Sequence, residues 1–147
     1  MIRIIAATED DMSRILEIEQ ESISPPWTHG ALLSEIFKDD SFFAAAVEDG
    51  KALGFVILRH LQDEGEILQI AVDKAARQRG IADLLMTAAF EYVKENSLKS
   101  VFLEVRKSNK AAICLYEKHG FKSLRQRKDY YSSPTEDAIV MVRSIFE

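Results

Sequence analysis

Three polar residues sit where their types and spacing could do chemistry: Glu104, Asn109 and Tyr116. Glu104 falls in Ser100-Val101-Phe102-Leu103-Glu104-Val105-Arg106, a β-branched run that reads as a strand. Alternation turns it away from Leu103 and Val105, onto the face of Phe102 and Arg106. A carboxylate on such a strand is costly to bury without a partner or a task. Two readings fit. It is an ion pair with Arg106 or a nearby lysine, or it is a general base that takes a proton from an ammonium of pKa about 8. Partial desolvation would raise its pKa toward that of such an amine and help the transfer. Glu66, at the start of an earlier strand, is a second candidate for the base, acting through water. Asn109 and Tyr116 are seven residues apart, with Ala112 and Ile113 between them. Two helical turns place both on one face, about 10 Å apart along the axis. Tyr116 is either a core tyrosine with a satisfied hydroxyl or a phenol of pKa about 10 that serves as a general acid.

A second constellation is the loop Arg77-Gln78-Arg79-Gly80-Ile81-Ala82, between a strand (Ile67, Leu68, Ile70, Val72) and a helix over about 81–95. A strand that feeds a short basic loop and a helix N-terminus offers unpaired N–H groups and a positive dipole end to an anion. The expected ligand group is a pyrophosphate. The amides of Arg79, Gly80, Ile81 and Ala82 are the candidate donors, and Gly80 lets the backbone approach closely. Arg77, Arg79 and Lys74 add positive charge. The competing reading is an ordinary strand–helix connection with solvated basic residues. A dinucleotide site would need a further glycine before Gly80 and a parallel α/β repeat, and neither is present.

Other residues carry less. Cys114 is the single cysteine, so no intrachain disulfide forms, and it reads as a small buried thiol. His29, His60 and His119 lack metal-ligand spacing, and no metal is expected; His119 suits a helix C-terminus. Tyr130 and Tyr131 follow the basic run Lys122, Arg125, Arg127 and Lys128. They either wall an acceptor channel or are end-of-strand aromatics.

The positioning elements follow from periodicity. A short strand over 2–6 leads to a helix over 9–22 with Met12, Ile15, Leu16 and Glu19 on one stripe, ended by Ser24-Pro25-Pro26. Thr28 caps a second helix carrying Leu32, Leu33, Ile36 and Phe37. Strands at 42–48 and 53–61 join through Asp49-Gly50, and Asp63-Glu64-Gly65 turns the chain into the strand at Glu66. The helix at 81–95 buries Leu84, Leu85, Ala88, Ala89, Tyr92 and Val93. Its return to the strand at 100–106 makes a right-handed parallel crossover. Ser108 caps the next helix, and Gly120 ends it at C′. Strands at 121–128 and 138–146 flank a loop over 129–137. The fold class is α+β: a mixed, mostly antiparallel sheet of about six to seven strands with flanking helices. At 147 residues and 47% hydrophobic, the chain reads as one domain, 1–147. Net charge −5 argues against nucleic-acid or membrane affinity. With no spanning run and no signal-peptide start, the cytosol is expected.

Element order and loop together resemble the GNAT N-acetyltransferase superfamily, whose pyrophosphate signature Arg/Gln-x-x-Gly-x-Gly/Ala matches Arg77-x-x-Gly80-x-Ala82. Within it, the chain is similar to bacterial enzymes that acetylate the N-terminal alanine of a small-subunit ribosomal protein. The stretches that carry this are Pro25-Pro26-Trp27-Thr28, Ile70-Ala71-Val72-Asp73, Leu103 through Ala112, Leu115-Tyr116-Glu117, Gly120-Phe121 and Tyr130-Tyr131. Lys74 stands where proline is usual, Ala82 in the second glycine slot, and Asp129 where asparagine often precedes the tyrosines. The resemblance implies acetyl-CoA as donor and a protein N-terminus as acceptor, in a monomer or weak dimer. It implies that the strand Leu68 to Val72 pairs with the pantetheine amides and splays from its parallel neighbour. Backbone N–H groups at Ile70, Ala71 and Val72 would then hold the oxyanion. Asn109 would meet a pantetheine amide, Tyr116 the sulfur, and Glu104 would be the base. Trp27 would sit over the peptide groove. A polyamine, an antibiotic or broader N-termini as acceptor, and a non-catalytic acyl-CoA sensor, are the alternatives.

Overall fold

The computed structural model describes residues 1–145, so the expected end of the last strand at Phe146 lies outside the described residues. Strands β1 (Arg3–Ala6), β2 (Ser41–Glu48), β3 (Lys51–Leu61), β4 (Glu64–Val72), β5 (Ser100–Arg106), β6 (Lys122–Tyr131) and β7 (Glu136–Ser144) form one sheet. Its order is β1-β2-β3-β4-β5-β7-β6. Among the described strands only β4 and β5 pair parallel; the other neighbours are antiparallel. Helices α1 (Met12–Ser22) and α2 (His29–Ile36) precede β2, α3 (Ile81–Glu95) links β4 to β5, and α4 (Lys110–Lys118) links β5 to β6.

Each sheet face has its own core. Met12, Ile15, Ile18 and Leu32 of α1 and α2 pack on Ala45, Phe55 and Ile57. Ile81, Leu85, Met86, Ala89 and Val93 of α3 pack on Val56, Leu58, Val101 and Leu103. The two sets of strand residues interleave, as the period-2 alternation of a sheet requires.

The feature that matters most is a broken parallel ladder. β4 and β5 pair at Glu64–Ser100, Gly65–Val101 and Glu66–Phe102 and then separate. β5 stays fully paired with β7, from Ser100–Ser144 to Arg106–Ala138. On its other side β4 pairs with β3 as Leu58–Ile67 and then Ile57–Gln69, so Leu68 is an extra residue in the strand. Such a bulge bends and twists its strand. It also shifts the facing: Leu68 packs into the α1/α2 core, and Gln69 turns to α1 as well. Beyond Glu66, β4 and β5 thus present free edges to a common gap.

Several sequence expectations are corrected. The cap of α4 is Asn109, whose side chain accepts from Ala112 N at 3.2 Å, not Ser108. Leu84 and Phe37 are exposed, at 42% and 66%. The buried face of α3 centres on Leu85 and Ala89 and takes in Met86, which leaves Leu84 on the flank; Phe37 lies just past the end of α2. Cys114 is exposed rather than buried. It stands two residues from the inward Tyr116, roughly 200° around the helix. β4 begins at Glu64, so the turn is shorter than expected, and the 129–137 loop shrinks because β6 runs to Tyr131 and β7 starts at Glu136. Gly120 holds φ +90 beyond His119, the C′ geometry expected of it. His119 does more than meet a dipole: its Nε2 lies 2.8 Å from Asp83 Oδ1 and ties α4 to α3.

Candidate active site

The gap between β4 and β5 opens into a cleft of about 920 Å³. It runs from the N-terminus of α3, past the free edge of β4, to the segment between α1 and α2 and the end of β6. At the α3 end, Arg77, Gln78, Gly80, Ile81 and Ala82 reach the cleft. Gly80 is the N-cap of α3 at φ +76, and a Cβ built there meets no protein atom within 4 Å. That backbone conformation favours glycine, and the open space before it is where an anion would meet the helix N-terminus. Arg77 donates to Val72 O at 3.4 Å. Arg79 is the exception among the expected loop residues: its guanidinium forks onto Glu48, at 3.1 and 2.7 Å, and is not part of the cleft wall.

Along the middle, Ile70, Ala71 and Val72 of β4 face Asn109, Ala112 and Tyr116 of α4 across the cleft. The Asn109 oxygen is spent on capping α4, which leaves its amide NH₂ as the group available to a ligand. Tyr116 is 7% exposed and packs edge-on against Phe121. Burial pushes its phenol well above the usual tyrosine value, with a smaller push from Tyr131. Both influences favour the protonated phenol.

At the other end two carboxylates share the sheet face of α1 and α2. Glu66 stands opposite Phe102 at the last parallel pair, and Glu104 lies two residues further along β5. The expected ion-pair partners of Glu104 are not the observed one: Arg127 of β6 donates to it at 2.7 Å. Arg106 instead donates to the carbonyls of Ser24, Ser132 and Pro134 at 2.6 to 2.9 Å and pairs with Glu136 at 3.3 Å. It thereby pins the α1–α2 segment to the β6–β7 turn. Glu66 is open to solvent at the cleft rim, yet enough protein surrounds its carboxyl to raise it, and the nearby Glu104 charge raises it further. Tyr130 is raised chiefly by hydrogen bonding to Glu104, and Tyr131 by burial and then by Glu104. Both tyrosines line the cleft, with Arg127 over one ring and Arg106 over the other. Trp27 closes this end beside Ser24 and Pro25.

Sequence reasoning placed Glu19 only on a buried stripe, named Arg106 only as an ion-pair partner for Glu104 and Arg127 only within a basic run, and did not single out Gln69. A carboxylate on an apolar helical stripe was the available signal for Glu19. It is fully buried, and burial pushes it up to about 7, partly offset by hydrogen bonds from Trp27 and Gln69. Its folded pKa lies above the unfolded value, so the neutral form is favoured in the native state. Stability falls as pH rises between 4.5 and about 7. Relative to Glu19→Gln, wild-type protein is expected to lose roughly 2 kcal/mol of unfolding free energy between about pH 5 and pH 8. Urea unfolding at the two pH values measures this, and equal losses in both proteins would contradict it.

Residues 12–121 match the Acetyltransferase (GNAT) family model. The chain belongs to that family and is an acyltransferase. Among its relatives are the [ribosomal protein bS18]-alanine N-acetyltransferases, or RimI proteins. That of Haemophilus ducreyi is 34% identical over 137 residues, 90% of this chain and 93% of its own. The crystal structure of the ribosomal-protein-S18-alanine N-acetyltransferase from Escherichia coli superposes with a TM-score of 0.91 at 30% identity, covering 100% of this chain and 96% of that one. Arabidopsis thaliana NAA60 in complex with acetyl-CoA shares the fold, with a TM-score of 0.90 at 21% identity over 99% of each chain.

Proposed function

We propose that the chain, as one acetyltransferase domain, moves acetyl from acetyl-CoA to the N-terminal alanine amine of a small-subunit ribosomal protein. The observation that carries this is the split β4–β5 ladder, with the N-terminus of α3 at one end of the cleft and the carboxylates of Glu66 and Glu104 at the other. The named bS18-alanine relatives support the acceptor.

In this reading the amides at Gly80 to Ala82 and the side chain of Arg77 hold the pyrophosphate, and Gln78 borders it. The pantetheine arm runs along the free edge of β4, with the Asn109 NH₂ on one of its amides. The acceptor enters between Trp27, Tyr130 and Tyr131, and Glu66 attracts its ammonium. Glu104 takes the proton. The freed amine nitrogen attacks the thioester carbon, and the N–H groups of Ile70 to Val72 stabilise the oxyanion. The C–S bond breaks and the electron pair leaves on sulfur, while the nitrogen, cationic since the attack, releases its second proton to solvent in the open cleft and so becomes the neutral amide. Tyr116 donates its hydrogen bond to that sulfur. Because its pKa is raised, full proton transfer requires that the sulfur anion, desolvated in the same cleft, rise with it.

Gly80→Ala tests the phosphate end. The left-handed backbone makes a side chain cost about 1 kcal/mol of stability. Acetyl-CoA affinity should drop about tenfold, because the added methyl occupies the space open to the ligand. Urea unfolding and calorimetric titration read the two effects, and unchanged affinity would remove this loop from the binding site.

The substrate assignment is tested with hexapeptides differing in their first residue, alongside polyamines, by following free thiol. Alanine-starting peptides should turn over fastest. Faster turnover of small amines would transfer the activity to another acceptor, and tight acetyl-CoA binding with no turnover would favour a sensor.

A further inference from the structure

Behind the acceptor end lies a closed ring of hydrogen bonds that the proposed chemistry does not use. Glu19 of α1 accepts from the Trp27 backbone N–H, at 2.8 Å to Oε2. With the Gln69 amide assigned the orientation that its donors and acceptors require, its nitrogen donates to both Glu19 oxygens, at 2.9 and 3.2 Å, and its oxygen accepts from Trp27 Nε1 at 2.7 Å. Trp27 and Gln69 line the cleft, whereas Glu19 is fully buried and is not part of its wall.

We infer that Glu19 is a positioning residue for the acceptor: by fixing the polarity of the Gln69 amide it holds the Trp27 indole in place as the cleft wall. This rests on the reading of that end as the site of a peptide amine. An ionised carboxylate accepts only, so Gln69 must turn its NH₂ to Glu19 and its oxygen to the indole N–H. The bulge at Leu68 is what points Gln69 toward α1 at all. A protonated Glu19 would donate its O–H to the Gln69 oxygen, setting the amide NH₂ against the indole N–H, donor against donor. The indole is then released.

Among the charged groups on the packed elements, Glu21 of α1 is exposed, and Glu66 of β4, itself raised by burial and by Glu104, is not among the influences on Glu19. Arg14 of α1 is tied to Glu17 and Asp73, and Glu35 of α2 to Arg59 of β3. Burial, the Trp27 amide and Gln69 are the influences on Glu19. The ring therefore switches with Glu19 itself.

Trp27 is the sole tryptophan, so its fluorescence reports the ring directly and without turnover. Wild-type emission should titrate with a midpoint near 7, the value toward which burial raises Glu19, and Glu19→Gln should abolish that transition. For an alanine-starting peptide, KM should rise about tenfold in Glu19→Gln, with kcat within about twofold and acetyl-CoA affinity unchanged. Gln69→Met, which leaves the carboxylate in place and cuts its link to the indole, should raise KM equally; it carries the test if Glu19→Gln fails to fold. The same emission titration in Glu19→Gln as in wild type, or an unchanged peptide KM in the folded variants, overturns the proposal. Wild-type protein whose emission titrates but which acetylates no peptide would leave the ring standing. It would overturn the acceptor role together with the reading on which it rests.

Discussion

The Glu104→Gln enzyme is expected to turn over an alanine-starting peptide about a hundredfold more slowly at pH 7, with acetyl-CoA affinity within about twofold of wild type. Glutamine keeps the shape of the side chain and its place on β5. What it removes is an acceptor for the ammonium proton in the open gap, two residues beyond the last β4–β5 pair. Without it the reaction must wait for amine that is already neutral, and the pH of half-maximal rate should move up to that of the free amine, about 8. Glu66→Gln should cost less, about tenfold, because that carboxylate sits at the closed end of the split and attracts the ammonium rather than deprotonating it. Larger loss in Glu66→Gln than in Glu104→Gln, read from steady-state rates, would exchange the two roles. The Glu104–Arg127 pair adds a condition: the arginine is half exposed and must swing aside or remain as a lid when the amine arrives.

Tyr116→Phe carries the second large effect. Phenylalanine retains the edge-on contact with Phe121 and the filling of the core between α4 and β5, so unfolding should be unaltered. The lost hydroxyl belongs to a side chain that lines the middle of the cleft. Turnover should fall about a hundredfold while acetyl-CoA affinity changes little, since the hydrogen bond strengthens only as sulfur becomes anionic. A variant with the wild-type rate would reduce Tyr116 to a core tyrosine.

The fold was legible because its signals are local. The helix at 81–95 and the strand at 100–106 follow from periodicity, and Asp49-Gly50 and Gly120 mark turns that need positive φ, as found. Nearly every expected site residue reaches one cleft, because alternation on β4 and β5 and helical spacing on α4 fix which way they point. The failures are non-local. Nothing in the order of residues says that Arg79 will reach across to Glu48, or that Arg127 rather than Arg106 will take Glu104. Cys114 was misjudged because small residue type was weighed above helical phase. The bulge at Leu68 is invisible to a period-2 pattern, and without it Gln69 cannot be placed beside Glu19.

One measurement bears most directly on acetyl transfer to a protein N-terminus. The enzyme is incubated with acetyl-CoA and a hexapeptide that begins with alanine and carries an internal lysine, and the product is fragmented in a mass spectrometer. A single acetyl group on the alanine α-amine is expected, since that amine sheds its proton about two pH units more readily than a lysine and leads the chain into the gap. Acetyl on the lysine, or on neither amine while acetyl-CoA is bound, would contradict it.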